Sequence, residues 1–251
     1  MAQHGMGQQS SERERPTLVF IHGSGDSARA WTELMARLPE YHCVALDLPG
    51  HGAQIERPGP SAMGVADYAD GVRATLMRQG LSNVCLVGHS LGSAIALRLA
   101  SDHPSLVSRI VLVGSGARLR VLPALLDTAK NDPAEAKRQI GPLGFAPEHA
   151  AQAEDYARAQ QPTAPGMLYR DLAACDVFDM MSELGRVSQS ALVVVGESDR
   201  LTPPKYATYL SDHLAHATLV TIANAGHYVQ VEAPDALADA LRRWLEMASR
   251  P

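Results

Sequence analysis

Six short apolar runs constrain this chain more than any other feature: 17–22, 42–47, 84–88, 109–114, 191–196 and 218–222. Each is nearly continuous in apolar character, whereas a strand with one wet face would alternate. They therefore read as strands covered on both faces. Helix-period patterns fall between them over 28–38, 65–79 and 91–101, and a last one follows over 234–247. Strand alternating with helix implies parallel pairing through right-handed crossovers. The expected fold class is α/β, a mostly parallel open sheet flanked by helices.

One interval breaks the alternation. Between the fourth and fifth runs the chain carries helical patterns over 121–130, 147–160 and 167–184 and no strand signal, which is too long for a plain loop. Because the chain re-enters the sheet afterwards, the interval reads as a helical cap, 117–185, inserted into a core made of 16–116 and 186–251. Residues 1–15 read as a polar tail. The tail has no apolar stretch of signal-peptide type, and no window reaches the length of a membrane span. With a net charge of −5 and both signs interspersed, nothing points to nucleic acid or an anionic membrane as partner. Three cysteines without metal-ligand spacing fit a reducing compartment, so the expected location is cytoplasmic.

Where the third run ends, the chain reads VCLVGHSLGSAIALRLA, and the apolar period switches from strand to helix at Ser90. The pentapeptide Gly88-His89-Ser90-Leu91-Gly92 has the form G-x-S-x-G. A strand turning at once into a helix strains its middle residue, and the flanking glycines leave room where a Cβ would collide. Such a turn lifts the serine hydroxyl above the sheet and aims unpaired helix N–H groups at the space beside it. Serine is a weak nucleophile at neutral pH, so this reading needs a base and a group that orients the base. Asp199 follows the fifth run and His227 follows the sixth. Active groups of parallel sheets gather at such carboxyl ends. The order Ser90, Asp199, His227 is that of a nucleophile-elbow hydrolase. After the first run, His22-Gly23-Ser24-Gly25 makes a tight turn. The backbone N–H groups of Ser24 and Leu91 are the expected pair for a developing oxyanion.

With these motifs in place the chain resembles α/β-hydrolase-fold serine hydrolases of the small bacterial carboxylesterase kind. The resemblance runs from Pro16 to near Met247 through HGSG, DLPGHG (47–52), GHSLG, GESDRLTP (196–203) and AGH (225–227). It implies hydrolysis of a small-molecule carboxylic ester through an acyl-serine, with no metal or organic cofactor, in a monomer or homodimer. Two departures stand out. Relatives often begin with an antiparallel strand pair, so a shortened sheet or an irregular edge strand from the tail is expected here. The longer HGGG oxyanion loop is absent. The fold also hosts carbon–carbon bond hydrolysis of dienoic diketones, cofactor-free perhydrolysis and ligand receptors that keep the site. His89 speaks against the first, whose members commonly carry asparagine there.

Plainer roles compete for the other polar residues. Gly23 and His89 are the residues named for substrate contact, although packing or hydrogen bonding beside the site suits His89 better. His22 and His51 read as turn residues. His42, His103, His149, His213 and His216 read as surface. Asp47 is the runner-up acid, but the LPGHG that follows explains it as a loop anchor, and Glu197, close to Asp199, is expected to project to the other side. Trp31, Phe145, Tyr169, Phe178, Met180 and Met181 read as core or cap packing.

Overall fold

A computed structural model describes residues 15–57 and 64–247. The polar tail, save its last residue, lies outside the described residues, and with it the question of an added edge strand. Six strands, β1 (Leu18–Ile21), β2 (Cys43–Leu46), β3 (Val84–His89), β4 (Val107–Val113), β5 (Ser190–Gly196) and β6 (Ala217–Ile222), form one sheet in the order β2-β1-β3-β4-β5-β6. Every pairing is parallel. The continuous apolar runs have the expected cause. In β1, Val19 and Ile21 pack into one core layer while Leu18 and Phe20 pack into the other. The first layer lies under α2 (Val65–Arg78) and α3 (Leu91–Asp102), and the second under Trp31 and α10 (Pro234–Met247). In α2 the buried residues Val65, Tyr68, Ala69, Val72 and Leu76 make the stripe that helical spacing demands.

The strand order reverses between β1 and β3. Chains leaving these two strands run in opposite directions along the sheet, which opens a crevice at their carboxyl ends. Both HGSG and GHSLG sit there.

Between β4 and β5 come α4 (Pro123–Asn131), α5 (Pro133–Gly144), α6 (Ala150–Ala159) and α7 (Met167–Val177). The pattern read over 121–130 begins at Pro123, because the residue before a proline is pushed out of helical backbone. The pattern read over 167–184 stops at Val177. From there the backbone pairs with 117–119 instead, Leu119 N–H donating to Phe178 O and Met180 N–H to Ala117 O. The stretch 28–38 splits into a 3₁₀ turn and a short α1 (Thr32–Ala36). Two helices escape the periodicity. One is α5, which contains Pro142; the other is α8 (Pro204–His213), where only Ala207 and Leu210 are buried. A single-turn α9 (Val229–Glu232) precedes α10. Among the described residues no helix is long and apolar enough to cross a membrane.

Candidate active site

Ser90 stands between β3 and α3 with φ 51° and ψ −113°, one of three non-glycine residues with positive φ among those described. Its side chain caps nothing in α3. The glycines on either side are sterically required. A Cβ on Gly88 would lie 2.2 Å from Gly92 O, and one on Gly92 would lie 2.2 Å from Ile21 O. A strained backbone held by such close packing keeps its side chain at a fixed height above the sheet.

His227 and Asp199 meet at the ends of β6 and β5. His227 Nδ1 lies 2.9 Å from Asp199 Oδ2. A carboxylate only accepts, so Nδ1 carries the proton and Nε2 is the bare nitrogen. Nε2 makes no hydrogen bond to any described residue. The Asp199 carboxylate is heavily served: Oδ1 accepts from the N–H groups of Leu201 (2.9 Å) and Thr202 (2.8 Å), and Oδ2 from the Thr202 hydroxyl (2.8 Å). Burial opposes its ionisation. The charge and hydrogen bond of His227 and the Thr202 donors outweigh that burial, so the carboxyl titrates below its ordinary range.

His89 couples this pair to the elbow. Its Nε2–H donates to His227 O at 3.1 Å, and its ring lies 4.7 Å from the His227 ring, centroid to centroid. Burial first, then the neighbouring His227, pushes its pKa well below the usual histidine value. The ring is neutral, and it fixes the His227 backbone against the residue preceding Ser90. On the far side, Glu232 gathers the same loop. Its carboxylate accepts from Gly226 (2.9 Å), Tyr228 (3.1 Å) and Ala146 (2.8 Å) N–H groups, the last from the segment between β4 and β5.

The HGSG turn faces the elbow so closely that a Cβ on Gly23 would lie 2.8 Å from His89 Nδ1 and 3.3 Å from Ser90 Cβ. Neither the Ser24 N–H nor the Leu91 N–H bonds to any described residue. His22 sets the plane of the peptide that carries the Ser24 N–H. Its Nδ1–H donates to Gly23 O (2.8 Å) while its Nε2 accepts from Leu48 N–H (3.1 Å). Since Gly23 C=O and Ser24 N–H share one rigid amide, fixing the first fixes the second. Burial, then the nearby His51, lowers the His22 pKa to about 4, in keeping with one donating and one accepting nitrogen.

Beside this turn a cleft opens between the HGSG loop and the segment above it, enclosing about 440 Å³, open solvent included. Ile140, Phe145, Leu168, Tyr156, Tyr228 and Lys137 are among its walls. Lys137 reaches Gln160 Oε1 (3.2 Å) and Gly25 O (3.4 Å). Behind the cleft, Tyr156 donates to the buried Asp26, whose carboxyl is raised to about 6 chiefly by burial.

Asp47 and Glu197 do not join the constellation. Asp47 binds the N–H groups of Ala28 (2.7 Å) and Ala53 (2.9 Å), and Glu197 is exposed. Sequence reasoning missed Thr202 and Glu232 as organisers, whereas His22 serves the HGSG turn as expected. For Thr202 a signal was present, since an aspartate followed three residues later by threonine before a proline-led helix is an Asx-turn pattern.

Comparison with known proteins gives a concordant picture. Residues 18–240 match the model of the alpha/beta hydrolase family. A pimeloyl-[acyl-carrier protein] methyl ester esterase of Neisseria meningitidis is 30% identical, covering 96% of this chain and 99% of its own. A solved thermophilic esterase is 31% identical with a TM-score of 0.77, covering 94% and 92%. An esterase of Exiguobacterium antarcticum, 20% identical, shares the fold with a TM-score of 0.83 over 92% of both chains.

Proposed function

Because the chain belongs to the alpha/beta hydrolase family, we propose that it hydrolyses carboxylic esters through an acyl-serine intermediate. The observation that carries this reading is the open Nε2 of His227. The ring is locked through Nδ1 on Asp199, and its backbone is bound to the residue before an elbow serine. His227 Nε2 takes the Ser90 proton as the hydroxyl attacks the ester carbonyl. Asp199 holds the reactive tautomer and stabilises the imidazolium that forms. The tetrahedral oxyanion rests on the Ser24 and Leu91 N–H groups, which cost no reorganisation when charge develops. His227 then returns the proton to the leaving alcohol. Water repeats the sequence on the acyl-enzyme, and the free acid leaves. Every step moves protons among these side chains, and none calls for a cofactor.

We read the segment 117–185 as a cap that shields the site and shapes the cleft beside Ser24. The similarity to a methyl ester esterase makes esters of small alcohols the first class to try. The test is hydrolysis of methyl and p-nitrophenyl esters with acyl chains of increasing length, run beside Ser90→Ala. Ester turnover that disappears in Ser90→Ala supports the reading. Turnover retained in that variant overturns it, and labelling by a serine-reactive phosphonate without turnover favours the ligand receptor instead.

A further inference from the structure

Asp171 is a fully buried acid in the middle of α7, far in sequence from every catalytic motif. A buried carboxylate is costly unless its oxygens are met by donors. Here the donors come from three separate parts of the core. Oδ2 accepts from the Gly25 N–H (2.7 Å) and from His51 Nε2 (2.9 Å), and Oδ1 accepts from the Tyr68 hydroxyl (2.6 Å). Gly25 belongs to the HGSG turn, His51 to the loop after β2, and Tyr68 to α2. His51 is itself tied on its other side, with Nδ1 3.1 Å from Pro49 O.

The neighbours of Asp171 on α7 act on the same turn. Leu168 Cδ1 stands 2.8 Å from where a Cβ on Gly25 would be, and Cys175 Sγ lies 3.6 Å from Ser24 Oγ. Positions 168, 171 and 175 recur at helical spacing and so share one face of α7. That face covers Ser24 and Gly25. The amides on the two sides of Ser24 are thus held by different agents. His22 from the core fixes the Gly23–Ser24 amide through Gly23 O. Asp171 from the segment between β4 and β5 fixes the Ser24–Gly25 amide through Gly25 N–H. Only the two dihedrals of Ser24 lie between them, and Gly25 sits at φ +66°, where few other residues could follow.

We infer that Asp171 is a positioning residue for the oxyanion donor: α7 reaches down from the cap and, through the Gly25 N–H, holds the Ser24 N–H at the angle the tetrahedral intermediate needs. The cap then does more than shape the cleft, because its docking completes half of the oxyanion site. This inference rests on the oxyanion pair proposed above.

The experiment compares Asp171→Ala and Asp171→Asn with the native enzyme, using p-nitrophenyl butyrate turnover per phosphonate-labelled site and binding of a trifluoromethyl ketone. That ketone adds to the serine and places an oxyanion between the two N–H donors. Asp171→Ala is expected to lower kcat per labelled site by about tenfold to hundredfold, a part of what loss of a whole oxyanion donor costs. KM should stay nearly constant, and ketone affinity should fall by the same factor as kcat/KM. Asn retains an oxygen that can accept from Gly25, so Asp171→Asn should recover to within about threefold of native, the residue being the lost charge. Leu241→Ala, a core leucine on α10, supplies the structural baseline: it lowers stability with kcat per labelled site unmoved. If Asp171→Ala follows that baseline, the inference fails. If Asp171→Ala does not fold, Asp171→Leu, which fills the space without an acceptor for the Gly25 N–H, takes its place, and native kcat with native ketone affinity in it overturns the inference. Ser90→Ala, which leaves no serine to label and is therefore measured per mole of protein, separates the two readings. Turnover surviving in it sinks the nucleophile, whereas its loss beside an undiminished Asp171→Ala sinks only the anchoring by α7.

Discussion

Among the described residues are two buried aspartate–histidine pairs of the same length, Asp199–His227 and Asp171–His51, each at 2.9 Å. By chemistry and distance they are alike, and they differ in what the second ring nitrogen meets. In His51 the other nitrogen is spent on Pro49 O, so the ring is tied at both ends. In His227 only Nδ1 is engaged, and Nε2 bonds to no described residue, which leaves it open for the proton of the proposed cycle. Aspartate beside histidine is therefore not enough for the dyad proposed above. What sets Asp199–His227 apart is an unspent nitrogen at the crevice of the sheet.

The sharpest way to break this comparison is at its reactive end. Ser90→Ala and His227→Ala should each lower kcat for esters by about 10⁴- to 10⁶-fold while leaving the fold intact by circular dichroism. Asp199→Asn should follow with a loss of about 10³- to 10⁴-fold, because an amide there favours the wrong tautomer. Asp47→Asn should lose much less, and the reverse ranking would transfer the acid's role to Asp47. His51→Ala strips a buried carboxylate of a partner and should cost about 3–5 kcal/mol of stability, read from the urea midpoint. Its kcat per labelled site should fall by less than that of any triad variant.

The pH dependence of stability also tells the pairs apart. Asp199 has a depressed folded pKa, so it adds stability above its ordinary carboxylate range, and that stability is lost as the pH falls through the folded value. For His51, burial works against the charged form, but the hydrogen bond and charge of Asp171 prevail and raise its pKa. Its contribution is present below the unfolded value of 6.5 and is lost as the pH rises through the folded one. Chemical denaturation across pH should show an acid loss that Asp199→Asn removes and an alkaline loss that His51→Gln removes. The smallest effect is at Asp26, raised from 3.8 to about 6. Its folded form holds a proton the unfolded chain has released, so stability falls as the pH climbs between those values. Asp26→Asn should flatten that fall, by at most about 3 kcal/mol.

The elbow was legible because two local signals coincide at Ser90, a change of apolar period and glycines at both required positions. Asp199 and His227 were legible because strand ends can be counted along the chain. Asp171 had no such signal: it is one of 27 acidic residues, set in a helical pattern that carries no motif. The helix α8 escaped because so few of its residues are buried that its apolar period is faint. The helix read through 184 ended early because backbone partners at 117–119 outcompeted its next turn.

By itself the sequence determined the sheet, its parallel pairing and the strained turn under Ser90, since these depend on residue period and on steric room at neighbouring positions. The tertiary structure alone decided which of two like Asp–His pairs keeps a free nitrogen, and which helix between β4 and β5 grips the HGSG turn. Those outcomes depend on donors and acceptors brought together from distant parts of the chain, such as Gly25, His51 and Tyr68 around Asp171. Hydrogen bonds are directional and short, so only the folded positions determine which groups are spent and which remain available.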